Sequence, residues 1–221
     1  MDTDLWPLTA LRLRTPRLEL RLPSDHDLAD LARLAAAGVH DPQVQPFGVA
    51  WTDVPPADRA RSVLQHHWHT LAAWTPEHWG LQLVVVHDGV VVGTQGMSAH
   101  DFGVLREVGT GSWLGQAYQR RGFGTEMRAA VLQLAFAGLG ARSAISTAFI
   151  DNAASLAVSR KLGYADDGIE RRVRRGQPAT ARRFRLDRRT WEATPRTPVN
   201  IEGLESCLLM FGLTPDGAAS E

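Results

Sequence analysis

A joint rich in glycine and arginine, QRRGFGTEM at Gln119–Met127, separates a predicted strand from a predicted helix. The strand is Gly109–Gly115, and the helix Phe123–Ala137 carries apolar residues at helical spacing. The first backbone N–H groups of a helix have no partner within it, and the helix dipole adds partial positive charge there. Two glycines would let a ligand approach the backbone closely, and two arginines would add full charge. The joint therefore predicts a site for a diphosphate.

Known phosphate-binding loops match this joint poorly. A P-loop needs a Gly-Lys pair, which the chain lacks, and the dinucleotide fingerprint needs glycine where Met127 stands. A Rossmann-type oxidoreductase is therefore the weakest of the functions considered. Judged on its glycines alone, the joint is better explained as a flexible, glycine-containing turn between solvent-exposed arginines. The choice between this turn and a diphosphate site therefore depends on the neighbouring segments.

The rest of the chain alternates between strand-like and helix-like patterns. Ser24 is a predicted N-cap and Gly38 ends its helix, while His40–Pro56 is a long loop typical of binding or lid segments. The further predictions are a strand Arg17–Leu22, a helix Ala57–Ala73, a hairpin around His87–Gly89, a strand Arg142–Ile150, a helix Asn152–Gly163 and a hairpin turning at Gly176–Pro178. No linker interrupts this order. We predict one mixed α/β domain over residues 1–190 and a C-terminal extension over residues 191–221, with a short strand and helix in VNIEGLESCLLMFG.

Composition excludes several function classes. The formal net charge is zero, so nothing global attracts the chain to nucleic acid or to an acidic membrane. The single cysteine, Cys207, excludes a disulfide framework and a cysteine-based zinc site, in agreement with a cytoplasmic location. No apolar run approaches the roughly 20 residues that span a bilayer, and no signal-peptide pattern is present. The histidines His66–His69 lack carboxylates at ligand spacing, so a solvated helix face is favoured over a metal site.

The motifs around the joint follow a characteristic order. A strand with SWLG is followed by QRRGFG, an amphipathic helix, a strand, DNAAS and KLGY. This order resembles the GNAT superfamily of N-acyltransferases, and within it the branch that includes the Rim-type ribosomal-protein N-acetyltransferases. The motifs Q/R-x-x-G-x-G/A, N-x-x-S and G-[YF] are matched by Gln119, Arg120, Arg121, Gly122, Phe123 and Gly124, by Asn152 and Ser155, and by Gly163 and Tyr164. The likeness is specific over residues 108–164 and looser over residues 17–99, where TPRLEL at Thr15–Leu20 is a common opening.

The resemblance implies a fold and a ligand. The fold is a mixed α/β (α+β) one, with a mostly antiparallel, twisted sheet that is flanked by helices. This sheet splays between two central parallel strands, here Gly109–Leu114 and Ser143–Ala148. The ligand is acetyl-CoA or succinyl-CoA, held in the gap without a metal. The residues implied for CoA are Ser112, Trp113 and Leu114 on the pantetheine arm, Gln119, Arg120, Arg121, Gly122, Phe123, Gly124 and Thr125 at the diphosphate, and Asn152 and Ser155 near the pantetheine amides and sulfur.

The resemblance also implies direct acyl transfer from a thioester to an amine. Ser155 is the implied proton donor to the departing thiolate, although Asn152 and Ser155 could instead simply cap their helix. Tyr164 is an alternative donor, and core packing explains it equally well. These alternatives stay open from the sequence alone.

The base that would accept the amine proton is a separate question. Related enzymes often carry glutamate at the position of Gly109. Glu107 lies two residues earlier and so points to the same face of a regular strand. A surface carboxylate near Arg106 is an equally good interpretation of Glu107. His40, His100 and Asp101 are weaker candidates, and the amine could also arrive already neutral.

The sequence leaves the substrates open. GVHDP, GTEMRAAVL and DNAASLAVSR resemble an actinobacterial succinyl-CoA-dependent subgroup, which points to the donor only. The acceptor is an amine of a protein or of a small molecule, and a homo-oligomer is expected from the resemblance, with residues 191–221 as an interface segment. Four tryptophans either line the acceptor cleft or pack in the core: Trp51, Trp68, Trp74 and Trp79. The alternative function is a non-catalytic, regulatory acyl-CoA-binding module.

Overall fold

The computed structural model describes residues 2–214, which form a nine-stranded sheet and its surrounding helices. The strands are β1 Arg12–Arg14, β2 Glu19–Arg21, β3 His78–His87, β4 Val90–His100, β5 Glu107–Leu114, β6 Ser143–Phe149, β7 Ala165–Arg174, β8 Gln177–Asp187 and β9 Asn200–Glu202. The α-helices are α1 Asp25–Ala37, α2 Pro56–Ala72, α3 Phe102–Leu105, α4 Phe123–Gln133, α5 Ala153–Lys161 and α6 Arg188–Ala193. A π-helical turn, Leu134–Gly138, extends α4. None of these helices is long and apolar enough to cross a membrane.

The sheet has the order β7-β8-β6-β5-β4-β3-β2-β1-β9, and its one parallel pair among the described strands is β5 with β6. This pairing joins Glu107–Gly109 only to Ser143–Ile145. Beyond it, β5 continues along β4 as far as Leu114, whereas β6 continues along β8 as far as Phe149. The two central strands therefore diverge and leave a gap. The predicted mixed, mostly antiparallel sheet that splays between two parallel strands is confirmed.

The two faces of the sheet carry separate apolar clusters. Leu83 and Val85 on β3 pack in the larger cluster, which includes the buried face of α4. Val84 and Val86 point to the opposite face, where they meet the apolar stripes of α1 and α2. This alternation follows from the two-residue period of a strand. As a result, α4 lies behind the gap, and α1 and α2 lie in front of it.

Helix α1 has Ser24 as its N-cap, as predicted, and Ser24 also forms a capping box with Asp27. The Ser24 hydroxyl accepts from the Asp27 N–H, and the Asp27 carboxylate accepts from the Ser24 N–H at 2.9 Å. The same carboxylate is paired with Arg21 on β2. Burial opposes ionisation of Asp27, but the hydrogen bonds from Arg21 and Ser24 outweigh it and lower its pKa from the ordinary 3.8 to about 2.

Replacing Asp27 by asparagine tests this contribution. A folded-state pKa of about 2 against 3.8 in the unfolded chain stabilises the fold by about 2 kcal/mol once the carboxyl is ionised in both states. Because the folded carboxyl binds its proton more weakly, this contribution is complete above about pH 5 and is lost as the pH falls through 3.8 towards 2. Urea unfolding of both proteins at pH 7 and pH 2.5 should show a difference that shrinks on acidification. An equal difference at both pH values would contradict the assignment.

The segment after β8 belongs to the same sheet and core. β9 pairs with β1, joining Leu13 to Ile201, and the 3-10 segment Glu205–Phe211 follows it, as predicted from VNIEGLESCLLMFG. Phe211 packs edge-on against Trp74 and Trp79. A role of this segment as an interface stays a prediction, and residues 215–221 lie outside the described part of the chain.

Two boundaries differ from the prediction because the signals there are short. The predicted strand Arg17–Leu22 is only Glu19–Arg21, and the preceding strand β1 was not predicted. The last hairpin turns at Arg175 and Gly176, one residue before the predicted Gly176–Pro178, because both adopt left-handed backbone angles (φ 49° and 74°) and Gln177 already belongs to β8.

Candidate active site

The divergence of β5 and β6 opens a cavity of about 580 Å³. Gly109–Trp113 of β5 and Ile145–Thr147 of β6 line it from the two sides of the gap. Beyond Gly109, β5 has no pairing with β6, so the backbone edge that faces the gap is open to a ligand. This open edge includes Ser112, Trp113 and Leu114, the residues expected to pair with the pantetheine arm.

The joint before α4 presents its amides as the sequence predicts. Gly122 is the N-cap residue, with φ of 85°, and no side chain caps the helix. The backbone N–H groups of Arg120–Gly124 have no hydrogen-bond acceptor within residues 2–214, while Thr125 and Glu126 bond to the Gly122 carbonyl. Arg120, Arg121 and Gly122 are exposed. The arrangement is therefore suited to an anion with several acceptor oxygens.

A brace that the sequence analysis missed holds this joint in place. The Glu126 carboxylate is only 7% exposed and accepts from the Thr15 hydroxyl at 2.7 Å, the Arg17 N–H at 3.1 Å and Arg17 Nε at 2.7 Å. Arg17 also donates to the Arg121 carbonyl at 3.1 Å. TPRLEL and GTEM contain these residues, but Arg17 and Glu126 are 109 positions apart in the sequence, which hides their contact. Arg17 thus adds a third arginine beside the free amides.

Gln119 serves the joint differently from its neighbours. Its side-chain amide donates to the Val39 carbonyl at 2.7 Å and to the Leu114 carbonyl at 3.0 Å. These bonds tie the joint to the end of β5 and to the chain after α1. The contacts of the Gln119 side chain therefore position the loop, and direct contact with CoA stays a prediction.

Asn152 and Ser155 begin α5. The Asn152 side-chain oxygen accepts from the Ser155 N–H at 3.1 Å, which is the capping geometry considered from the sequence. Both residues are partly exposed, and neither lines the cavity. Their roles at the pantetheine arm and sulfur stay predictions.

Tyr164 lies below the gap, 5% exposed. Its hydroxyl is 3.4 Å from the Thr110 hydroxyl, which belongs to a cavity-lining residue of β5. Burial raises the pKa of Tyr164, and the nearby cation of Arg128 opposes this rise. The phenol therefore keeps its proton throughout the neutral range.

Arg128 is the buried cation beside Tyr164, and the sequence analysis missed it because it stands in a predicted helix. It is 4% exposed and donates to the hydroxyls of Ser159 at 2.9 Å and Ser146 at 3.5 Å. Its Nε has no partner, and no carboxylate of residues 2–214 pairs with it. Burial lowers its pKa, although a guanidinium stays charged in proteins. A positive charge thus stands behind the gap without a counter-ion.

Replacing Arg128 by methionine should stabilise the protein without its ligands. An unpaired buried charge is unfavourable, so an apolar side chain of similar length is expected to raise the free energy of unfolding by about 1–3 kcal/mol. Urea unfolding measures this, with the exposed Arg160→Met on α5 as the control expected to show little change. Destabilisation by Arg128→Met beyond that of the control would mean that the hydroxyl contacts outweigh the burial of charge.

Glu107, the predicted base, lies outside the cavity lining. Its carboxylate accepts from the Ser143 hydroxyl at 2.6 Å and is paired with Arg185 of β8. These contacts are at the parallel pairing of β5 and β6, before the strands diverge. His40, bound to the Thr52 hydroxyl, and His100, bound to His78, also lie off the cavity.

Loop 42–54 covers the cavity and is clasped to the β7–β8 hairpin. Arg174 donates to the Gln45 carbonyl at 3.4 Å, and Arg175 donates to the Asp53 carboxylate through Nε and Nη2, each at 2.7 Å. Arg175 also donates to the Pro42 carbonyl at 2.9 Å. We refer to these contacts of Arg174 and Arg175 as the clasp. It holds the long loop, which the sequence predicted as a binding or lid segment, over the gap.

Aromatic rings continue from the clasped loop to β5. Phe47 contacts Trp51 with ring centres 5.2 Å apart, and Trp51 contacts Trp113 at 5.6 Å. Trp51 lines the cavity, which agrees with the first of the two interpretations of the tryptophans, a cleft lining as opposed to core packing. Trp74 and Trp79 pack together in the core, and Trp68 is exposed.

Two histidines of α2 also reach the cavity. His66 and His67 line it, and His67 is buried, so the interpretation of HHWH as a solvated helix face is wrong for His67. The sequence signal for the burial of His67 was its four-residue spacing from Val63, which packs on the sheet. Among the described residues, no group of histidine, cysteine, aspartate and glutamate side chains is arranged to hold a metal ion.

Comparison with known families decides the family. The sequence model of the acetyltransferase (GNAT) domain matches residues 17–165. The chain belongs to the GNAT family. The membership predicted from the motifs at residues 119–124, 152–155 and 163–164 is therefore confirmed, and the chain carries an acetyltransferase domain.

Solved structures of other GNAT proteins share its fold. RimJ of Mycobacterium smegmatis, in complex with CoA-disulfide, is 20% identical with a TM-score of 0.67, over 92% of this chain and 95% of that one. RimL, a ribosomal L7/L12 alpha-N-protein acetyltransferase in complex with coenzyme A, is 16% identical with a TM-score of 0.62, over 78% and 95%. A GNAT acetyltransferase of Bacillus anthracis is 15% identical with a TM-score of 0.62, over 80% and 99%.

Proposed function

We propose that this GNAT protein transfers an acyl group from acetyl-CoA or succinyl-CoA to an amine, with both substrates bound together. The observation that carries the proposal is the set of free amides at Arg120–Gly124, next to the open edge of β5. The amides would hold the diphosphate, and the β5 edge near Ser112–Leu114 would pair with the pantetheine amides. The thioester would then lie where the cavity meets the gap.

The departing thiolate needs a proton, and the contacts favour Tyr164 as its source. Tyr164 is neutral, lies next to Thr110 at the gap and stands beside the Arg128 cation, which stabilises negative charge on the phenol oxygen. Ser155 is the alternative donor. Asn152 would hold the pantetheine amides through its side-chain nitrogen, since its oxygen caps α5.

The amine must be neutral to attack the thioester carbonyl. Glu107 is engaged by Arg185 and Ser143, which favours a structural role over that of a base. An amine that enters neutral needs no dedicated base, and positioning the two substrates together supplies much of the rate. His66 and His67 are the titratable imidazoles that line the cavity.

One charged side chain of the cavity lining bears on the choice of acyl donor. A succinyl group carries a carboxylate, which needs a cation, and Arg172 of β7 lines the cavity. An acetyl group has no such need. Arg172 therefore supports succinyl-CoA beside acetyl-CoA as donor, in agreement with the subgroup resemblance.

The test is thiol release by the full chain with acetyl-CoA and with succinyl-CoA, each in the presence of a broad amine panel. Mass spectrometry should show an amide product heavier by one acyl group. Native mass spectrometry of the purified protein should show which acyl-CoA it carries and whether it forms a homo-oligomer. Binding of acyl-CoA without any amide product would support the alternative function, a non-catalytic acyl-CoA-binding module. The lack of a carboxylate among the described residues that line the cavity also favours this alternative.

A further inference from the structure

The cavity in front of the gap has no acidic side chain. No aspartate or glutamate of residues 2–214 lines it. The carboxylates around its rim are each paired with an arginine: Asp53 with Arg175, Asp151 with Arg174 and Glu170 with Arg172. An ammonium group inside this cavity would therefore find no counter-charge.

The walls of the cavity are largely apolar. Phe47, Val49 and Trp51 cover it from the clasped loop, and Trp113 continues their surface on β5. Leu31, Val63, Val84 and Met97 line it from α1, α2 and the sheet. Such a lining stabilises hydrocarbon or aromatic groups, whereas a charged group would give up its hydration there.

The titratable side chains of the described lining carry no negative charge. Burial lowers the pKa of His66 and of His67, and repulsion from a neighbouring imidazole lowers each further, which favours the neutral form of both rings. Among the described lining side chains, Arg172 alone carries a full charge, which is positive and is paired with Glu170 outside the lining. The Arg172 guanidinium lies beneath the clasped loop, because a Cβ atom added to Gly48 of that loop would be 2.9 Å from Arg172 Nη1.

We propose that the acceptor is a primary amine on an apolar body that carries no second cationic group. The largely apolar cavity, whose described lining contains no carboxylate, carries this inference, which rests on the proposed acyl transfer. Polyamines and lysine-rich peptides are excluded as good acceptors, because their remaining ammonium groups would be buried without a counter-charge. An acceptor with a carboxylate would be tolerated beside Arg172.

A matched pair of amines tests the acceptor class. n-Pentylamine and 1,5-diaminopentane have the same chain length and differ by one amino group, which stays protonated when the other reacts. With the acyl-CoA that supports turnover, we expect kcat/KM to be at least about tenfold higher for n-pentylamine, a difference of about 1.4 kcal/mol in transition-state stabilisation. Equal or better use of the diamine would overturn the acceptor class while leaving acyl transfer intact. No acylation of either amine or of the wider panel would overturn both.

A variant that adds a carboxylate inside the cavity sharpens the test. Gln82 lines the cavity beside Gly96, and Gln82→Glu changes its charge while keeping its shape. The ratio of the two kcat/KM values should move towards the diamine by about tenfold. Gln65→Glu, on the exposed side of α2, makes the same change of charge outside the cavity and should leave the ratio unchanged. An equal shift in both variants, or none in Gln82→Glu, would contradict the inference.

Discussion

Replacing Gly122 by valine is expected to weaken the binding of coenzyme A by at least about 100-fold, or about 2.7 kcal/mol. Gly122 has a φ of 85°, in a region that a β-branched residue rarely adopts, so valine would turn the neighbouring amides away from their common focus. Its side chain would also stand where a diphosphate oxygen must approach. Titration calorimetry with coenzyme A measures the loss.

The fold should survive this change, which makes the loss of affinity interpretable. A Cβ at Gly122 would meet only the end of the flexible Arg17 side chain, at 3.2 Å. Gly89 provides a matched control, because its φ is 78° and a Cβ there has nothing within 4 Å. Gly89→Val thus introduces the same kind of backbone strain at the β3–β4 turn and should leave the affinity unchanged. If both variants bind coenzyme A as the parent does, the amides at Arg120–Gly124 are not the diphosphate site.

A substitution at Gly124 distinguishes an effect on ligand affinity from an effect on stability more clearly than one at Gly122. A Cβ there would make ordinary contacts with Val158 at 3.8 Å and with Leu114 at 3.9 Å. Alanine therefore fits the protein without its ligand. A loss of affinity in Gly124→Ala with unchanged stability would report that a ligand approaches this residue closely.

Local signals explain what could be predicted from the sequence. The capping box at Ser24 and Asp27 is formed by residues three positions apart, and the glycine N-cap at Gly122 follows directly from the joint. Each needs only a few neighbouring residues to fix its geometry. The splayed sheet was implied by the resemblance of these motifs, in their order, to the GNAT superfamily.

Contacts between distant segments explain what could not be predicted. Glu107 is a free strand carboxylate by its local sequence, and only the pairing of β6 with β8 brings Arg185 to it. The brace of Arg17 and Glu126 and the clasp of Arg175 and Asp53 depend on tertiary folding in the same way. Charged residues predict an ion pair only when their elements are known to be adjacent, and one sequence does not supply that adjacency.

Replacing Tyr164 by phenylalanine is expected to lower kcat by about 100-fold, the usual contribution of a positioned general acid. The ring stays in its buried site and only the hydroxyl is removed. Its contact with Thr110 is long, at 3.4 Å, so the free energy of unfolding should fall by no more than about 1 kcal/mol. The affinity for coenzyme A should be unchanged, because the diphosphate and pantetheine contacts lie elsewhere. Steady-state thiol release and calorimetry measure the two quantities.

The competing donor provides the decisive comparison. Ser155→Ala removes the hydroxyl of a residue in the first turn of α5, while the backbone bond to Asn152 remains. If Tyr164 is the acid, Ser155→Ala retains most of kcat and Tyr164→Phe does not. Because burial keeps the pKa of Tyr164 above its ordinary value of 10, the parent should show no loss of kcat from tyrosine ionisation below that pH. Full activity in Tyr164→Phe together with loss in Ser155→Ala would assign the proton to Ser155 and leave the Arg128 cation without a role in the departure of the thiolate.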